Sequence, residues 1–187
     1  MSHISTTRRS FLAGVGACGV FARGAALAQS PFAQGNAGGH LASVWQELDL
    51  VDADDNRFSI TTGKRKLTLV KLWANWCPVC FSEIEQLDRV VSAIGPDNLD
   101  VILVSHPDWW ENDQVAAKSR GVRYRLATPD RGNGRARIQA ALTDANGMYA
   151  VPRSLVFRQA GEMVLAHKGA LDWSDDSVVA QLKGAVV

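Results

Sequence analysis

An α/β fold built on a mixed sheet is what this sequence predicts, on three observations. Continuous apolar runs at residues 67–72 and 101–104 read as strands buried on both faces, the second of them parallel and central. Between them, Phe81, Ile84, Leu87, Val90, Val91 and Ile94 recur at helical spacing. Late in the chain, residues 154–157, a turn at 158–161 and residues 163–165 form a hairpin pattern, followed by an amphipathic stretch over 173–183. Strands alternating with helices, then a terminal hairpin and helix, give mixed pairing in a sheet flanked by helices.

The N-terminus is set apart from this pattern. Arg8 and Arg9 stand before Phe11 and Leu12, a short Gly- and Ala-rich apolar stretch follows, and Ala26-Leu27-Ala28 closes it. A basic segment, a modest apolar segment and a small-x-small site are the parts of an export signal, expected to be cut after Ala28. The paired arginines make residues 1–28 resemble a twin-arginine signal peptide. The alternative is retention as a membrane anchor or a lipoprotein, although Val15-Gly16-Ala17-Cys18 is a poor lipidation box in mid-segment.

Cleavage alters the charge balance. The segment holds Arg8, Arg9 and Arg23 and no acid, so 20 basic and 19 acidic groups become 17 and 19. No basic excess remains for nucleic acid or a membrane surface. Of three cysteines, only Cys77 and Cys80 are left, with none spare for structural bridges in a compartment that permits disulfides.

Residues 29–43 read as a flexible lead-in and 44–187 as one domain. Trp45, Leu48, Leu50 and Val51 suggest an early strand, residues 52–56 a polar turn, and 57–60 a returning strand, an N-terminal β-hairpin extension. After residues 67–72 comes Trp73-Ala74-Asn75-Trp76-Cys77-Pro78-Val79-Cys80, then the helix that ends near Gly95-Pro96. A polar helix over 111–120, a short strand over 122–127 and a helix over 135–142 precede Val151-Pro152 and the hairpin.

The Cys-x-x-Cys at a strand-to-helix junction carries the chemistry. A helix N-terminus supplies free N–H groups and a positive dipole end, both of which favour thiolate over thiol. Cys77, at the mouth of the helix, is expected to be the exposed nucleophile, and Cys80, one turn on, the buried thiol that resolves a mixed disulfide. Pro78 suits the first helical turn. A structural zinc site needs four ligands, and the sequence has no second cysteine pair, so no metal is assigned. Exchange between sulfurs needs no bound organic cofactor. Trp73 is expected in the core, and Trp76 as a partly exposed wall of a substrate groove with Pro78 and Val79. Trp109 and Trp110 either dock a partner or cap the core, one of them core. His106 reads as a satisfied loop residue near a strand end. Gly132-Asn133-Gly134-Arg135 lacks the strand and lysine of a phosphate loop.

Trp-Ala-x-Trp-Cys-x-x-Cys after a buried strand, with Val-Pro before a late one, resembles the thioredoxin superfamily. The strand-turn-strand ahead of the core is similar to the exported TlpA/ResA-type branch, and Cys-Pro-Val-Cys to ScsD-like disulfide oxidoreductases. The resemblance covers about residues 44–185. It implies a thioredoxin-like fold, a cis Val151–Pro152 bond, and a Val151 backbone that pairs with an extended substrate beside Cys77. It also implies an acid at Glu83, which either takes the proton from Cys80 or is a solvated helix glutamate. At Lys71 the pattern departs, because relatives carry an acid or asparagine there. A cation beneath the dithiol would lower the thiol pKa, whereas a lysine whose amine snorkels to solvent, the favoured reading, would not.

The activity implied is periplasmic thiol–disulfide exchange by a monomer with cysteine-bearing client proteins. The resemblance favours a reductant fed by a membrane electron donor of the DsbD type, serving cytochrome c maturation, copper-site assembly or thiol rescue. Alternatives are an oxidant of the DsbA kind and a copper metallochaperone without redox turnover.

Overall fold

The computed structural model describes residues 36–186; the expected signal segment and the first part of the lead-in lie outside the described residues. Five helices, α1 (Asn36–Gln46), α2 (Pro78–Ile94), α3 (Trp110–Ser119), α4 (Arg135–Leu142) and α5 (Asp176–Ala185), cover a seven-stranded sheet. Its strands are β1 (Leu50–Asp52), β2 (Arg57–Phe58), β3 (Leu67–Leu72), β4 (Leu99–Val104), β5 (Arg125–Pro129), β6 (Arg153–Arg158) and β7 (Met163–Lys168). Their order across the sheet is β2-β1-β5-β4-β3-β6-β7, so β4 lies at the centre. β4 runs parallel to β3 and β5, whereas β6 pairs antiparallel with β3 and β7, and β1 with β2 and β5. The predicted mixed sheet with an N-terminal hairpin is the fold observed.

Every residue of β3 is buried, which explains why it reads as an unbroken run rather than an alternating one. Leu67, Leu69 and Trp73 join the apolar layer under α2, α3 and α5, and Val70 and Leu72 join the layer under α1 and α4. Lys71 is in phase with the first set and therefore points under α2.

Four expectations are corrected. Residues 36–43 are helical where a flexible lead-in is expected, and the early strand shrinks to Leu50–Asp52 because Trp45 belongs to α1. Gly38 and Gly39 are poor helix formers that mask the period. Leu41, Trp45 and Leu48 follow it, and Trp45 and Leu48 are wholly buried against β1, β6 and α4. β5 begins at Arg125 and runs on to Pro129. The last helix starts at Asp176 because Asp175 caps it by accepting the Ser177 N–H at 2.7 Å, which leaves Trp173 in the preceding turn, fully buried.

Asp52 organises the hairpin. Its carboxylate accepts the Asp54 and Asn56 N–H groups and both Arg125 nitrogens, the nearer at 2.6 Å, which ties the β1–β2 turn to β5. Burial alone would push its carboxyl up; the Arg125, Asn56 and Asp54 bonds together outweigh burial and hold it below 3.8. Asp52→Ala is expected to lower the unfolding free energy by about 1–3 kcal/mol at neutral pH. A carboxyl lowered by folding contributes stability above its unfolded value, and that contribution is lost as pH falls through the folded one. Urea midpoints of the two proteins should therefore converge in acid; equal midpoints at neutral pH would refute the role.

Candidate active site

β3 delivers the chain to the site and α2 takes it away. The Trp73–Asn75 segment leaves the end of β3, and α2 begins at Pro78 with Cys77 as its N-cap. The Cys80 N–H is shared between Cys77 O at 3.1 Å and Cys77 Sγ at 3.2 Å, so a donor of the first helical turn faces the sulfur. Cys77 and Cys80 form a disulfide with their Cα atoms 5.3 Å apart. Cys77 is 6 % exposed and Cys80 is wholly buried. Cys77 is thus the more accessible sulfur, but far less open than an exposed nucleophile, because it is packed in the apolar cluster that holds Trp73 and Phe81.

Around it, Trp76 and Val79 are about half exposed, at 55 % and 46 %, and Pro78 is also exposed, while Trp73 is fully buried with its ring edge-on to Phe81. Val151 and Pro152 lie just ahead of β6. The register Leu72↔Arg153 places that junction alongside the end of β3, and the Val151–Pro152 bond is cis. Val151 packs against the cluster that contains both cysteines.

Lys71 does not snorkel. Its side chain is wholly buried, with Nζ 2.6 Å from Glu83 Oε2 and donating to Ser154 Oγ at 3.1 Å. Burial pushes the amine below its ordinary value, and the facing Glu83 carboxylate opposes that shift. Glu83, in turn, is not solvated: it is 3 % exposed, and its Oε1 accepts the Leu171 N–H at 2.8 Å. The ion pair therefore sits one helical turn from Cys80, sealed under α2 and closed over by residues 171–173, where Gln86 Oε1 also accepts the Trp173 N–H.

Two residues near the site, Asp113 and Tyr149, have no motif to announce them. Asp113 of α3 is fully buried, and its Oδ1 accepts the Asn75 N–H at 2.7 Å. Burial pushes its carboxyl up, partly offset by that bond. Tyr149 Oη donates to Trp73 O at 3.0 Å and Val104 O at 3.3 Å. Its ring packs edge-on against Trp109 and His106, with centroids 5.0 and 5.5 Å away. Trp109 also meets Trp76 edge-on at 5.5 Å and His106 at 5.0 Å. Trp109 is thus the tryptophan that closes the core and braces the loop, and Trp110 is half-buried beside it. Burial lowers the His106 imidazole pKa, with Asp108 opposing. The helical spacing of Trp109 and Asp113 is the one trace of this cluster in the sequence. Among the described residues, no group of three or more His, Cys, Asp or Glu side chains is placed to hold a metal ion.

The fold has relatives of known structure. It superposes on the thioredoxin domain of a thiol-disulfide oxidoreductase from Bacteroides vulgatus with a TM-score of 0.57 at 16 % identity, over 74 % of this chain and 92 % of that one. For a thioredoxin-family thiol:disulfide interchange protein from Chlorobium tepidum the TM-score is 0.56 at 21 % identity, over 74 % and 92 %. For StoA from Bacillus subtilis it is 0.51 at 18 % identity, over 72 % and 94 %. A stretch of 62 residues is 32 % identical to an uncharacterized protein from Haemophilus influenzae, 33 % of this chain and 39 % of that one, so the match spans about two fifths of that relative. The AhpC/TSA family model matches residues 42–165, well over half the chain and the whole of the site up to β6. The chain belongs to the AhpC/TSA family and has a thioredoxin-like fold.

Proposed function

We propose that the protein exchanges disulfides with client proteins through Cys77 and Cys80, working as a reductant outside the cytoplasm. The observation that carries this reading is the dithiol at the start of α2, with the Cys80 N–H at 3.2 Å from Cys77 Sγ and only Cys77 retaining any exposure. In the reduced protein the Cys77 thiolate attacks a client disulfide, forming the Cys77–client bond and releasing one client thiolate. Cys80, deprotonated, then attacks Cys77 Sγ, which forms the intramolecular disulfide and releases the second client thiolate. Two electrons and two protons leave the dithiol for the client. Trp76, Pro78, Val79 and the Val151–Pro152 backbone form the groove in which an extended client segment lies. Glu83, one turn from Cys80, is the group we assign to take the Cys80 proton, and Lys71 the cation that keeps it charged.

The reductant direction is supported by the Lys71–Glu83 pair. A free cation under the dithiol would stabilise the thiolate and make the couple more oxidising. Here the cation is compensated at 2.6 Å, which removes that bias. Export is supported by the Arg8-Arg9 segment and by a cysteine content limited, past residue 28, to the reactive pair. No helix among the described residues is long and apolar enough to cross a membrane. A monomeric state and a DsbD-type electron donor complete the reading.

Insulin reduction with dithiothreitol as electron source tests the activity. Wild type is expected to turn over, and no acceleration over dithiothreitol alone would sink the reading. Equilibration with glutathione or dithiothreitol tests the direction: a potential near thioredoxin's, about −270 mV, is expected, whereas one near DsbA's, about −120 mV, would assign an oxidant.

A further inference from the structure

Asp113 is a buried carboxyl that the exchange steps do not use. One oxygen takes the Asn75 N–H; the other is buried with only the Ser105 hydroxyl and the His106 ring as polar neighbours. Burying a carboxyl among so few partners costs stability, so its place beside the reactive loop calls for a role there.

The loop itself is poorly tied. Between β3 and α2, the Trp73 N–H reaches Val104 O and the Cys77 N–H reaches Ala74 O. Trp73 O and the Asn75 N–H are among the groups left over. Tyr149 Oη fills the first and Asp113 Oδ1 the second, at 3.0 and 2.7 Å. A third hold comes from the Trp109 ring on Trp76. Trp109 and Asp113 are one turn apart at the start of α3, joined by the Asp113 N–H to Trp109 O bond, so two of the three holds move as one body. Tyr149 stands two residues before Val151–Pro152, so the third ties the loop to the segment we assign to the client groove.

We infer that Asp113 and Tyr149 are positioning residues for Cys77, fixing the Trp73–Trp76 backbone so that the sulfur two residues beyond Asn75 keeps its line of attack. The inference rests on the reading of Cys77 as the attacking sulfur. It specifies geometry: what Asp113 contributes is an acceptor at one place, not a charge. Disulfide exchange requires the attacking sulfur in line with the bond it breaks, so a loop that drifts loses rate without losing the thiolate.

The full chain carrying Cys18→Ser, so that Cys77 and Cys80 are its only thiols, is reduced and reacted with 5,5′-dithiobis(2-nitrobenzoate), and unfolding midpoints are measured beside the rates. Asp113→Ala and Tyr149→Phe are each expected to slow the Cys77 reaction about ten- to hundredfold in protein that remains folded. Asp113→Asn, which keeps an acceptor oxygen on the same stem, should recover the rate to within about twofold of wild type. A purely structural role would lower the midpoints and leave these rates unchanged, which overturns the inference. So does an Asp113→Asn rate equal to that of Asp113→Ala, because charge or packing would then be the cause. If Asp113→Ala fails to fold, Tyr149→Phe decides alone, since the ring stays and only the hydroxyl is lost; a wild-type rate overturns the inference. Failure of the exchange reading is separable: it shows as no insulin turnover by wild type, while the small disulfide still reports on Cys77.

Discussion

Lys71→Met is expected to destabilise the protein by about 3–5 kcal/mol at neutral pH, the loss that follows when one partner of a buried ion pair is removed. The expectation is this large because Glu83 has nowhere to go. It is 3 % exposed, its Oε1 is committed to the Leu171 N–H, and its Oε2 faces the lysine at 2.6 Å. Without the amine, a carboxylate remains in an apolar layer bounded by Trp173 and the dithiol. Urea unfolding at neutral pH reads the loss. A double variant, Lys71→Met with Glu83→Leu, removes both charges and should regain most of the loss, because a buried pair stabilises little relative to apolar residues of similar volume. Equal stability of Lys71→Met and wild type at neutral pH would show that the pair holds nothing. The variants also separate fold from chemistry: if Glu83 takes the Cys80 proton, the double variant is stable yet slow to resolve mixed disulfides.

Cys80→Ser is expected to stop exchange at its midpoint. The serine hydroxyl cannot displace the client sulfur, so Cys77–client disulfides accumulate and survive non-reducing electrophoresis, while insulin turnover falls to the background rate. Cys77→Ser should give the same loss of turnover with no trapped species at all, because the wholly buried Cys80 is out of a client's reach. The asymmetry between the variants is the diagnostic result. Equal trapping by both would mean that the two sulfurs exchange roles, and the assignment of attacker and resolver would fall.

What the sequence made legible was what depends on neighbours along the chain. The Cys77–Cys80 spacing, the strand before it, the helix after it and the Val151-Pro152 step are all local patterns, and β3 is recognisable because burial on both faces leaves only Thr68 and Lys71 polar in it. Lys71 and Glu83 were each noticed, yet their pairing was not, because it requires knowing that β3 presents its odd-numbered side chains to the underside of α2. A lysine in an apolar run reads as a snorkelling side chain until the structure shows α2 and residues 171–173 closing the way out. Asp113 was invisible for a related reason: its partner is a backbone N–H 38 positions earlier, and backbone groups leave no mark on composition. α1 was missed because two glycines dilute a period that three apolar residues nonetheless keep.

The sheet's margins bear on how such a protein survives its own clients. A protein that receives extended, cysteine-bearing segments is exposed to strand addition wherever its sheet presents unpaired backbone. On one margin, β2 is two residues long, too short to template a partner, and the Arg125 guanidinium lies over its Phe58 ring at 3.5 Å. On the other, β7 shifts register where it passes Val156 and Phe157, ends in Lys168, and has α1 packed beside it, with Gln46 Nε2 bonded to Gly161 O at 2.7 Å. Both margins are blunted, so on the proposed exchange reading a client segment would find backbone to pair with next to the dithiol and not at the far sides of the molecule, which would discourage aggregation with clients.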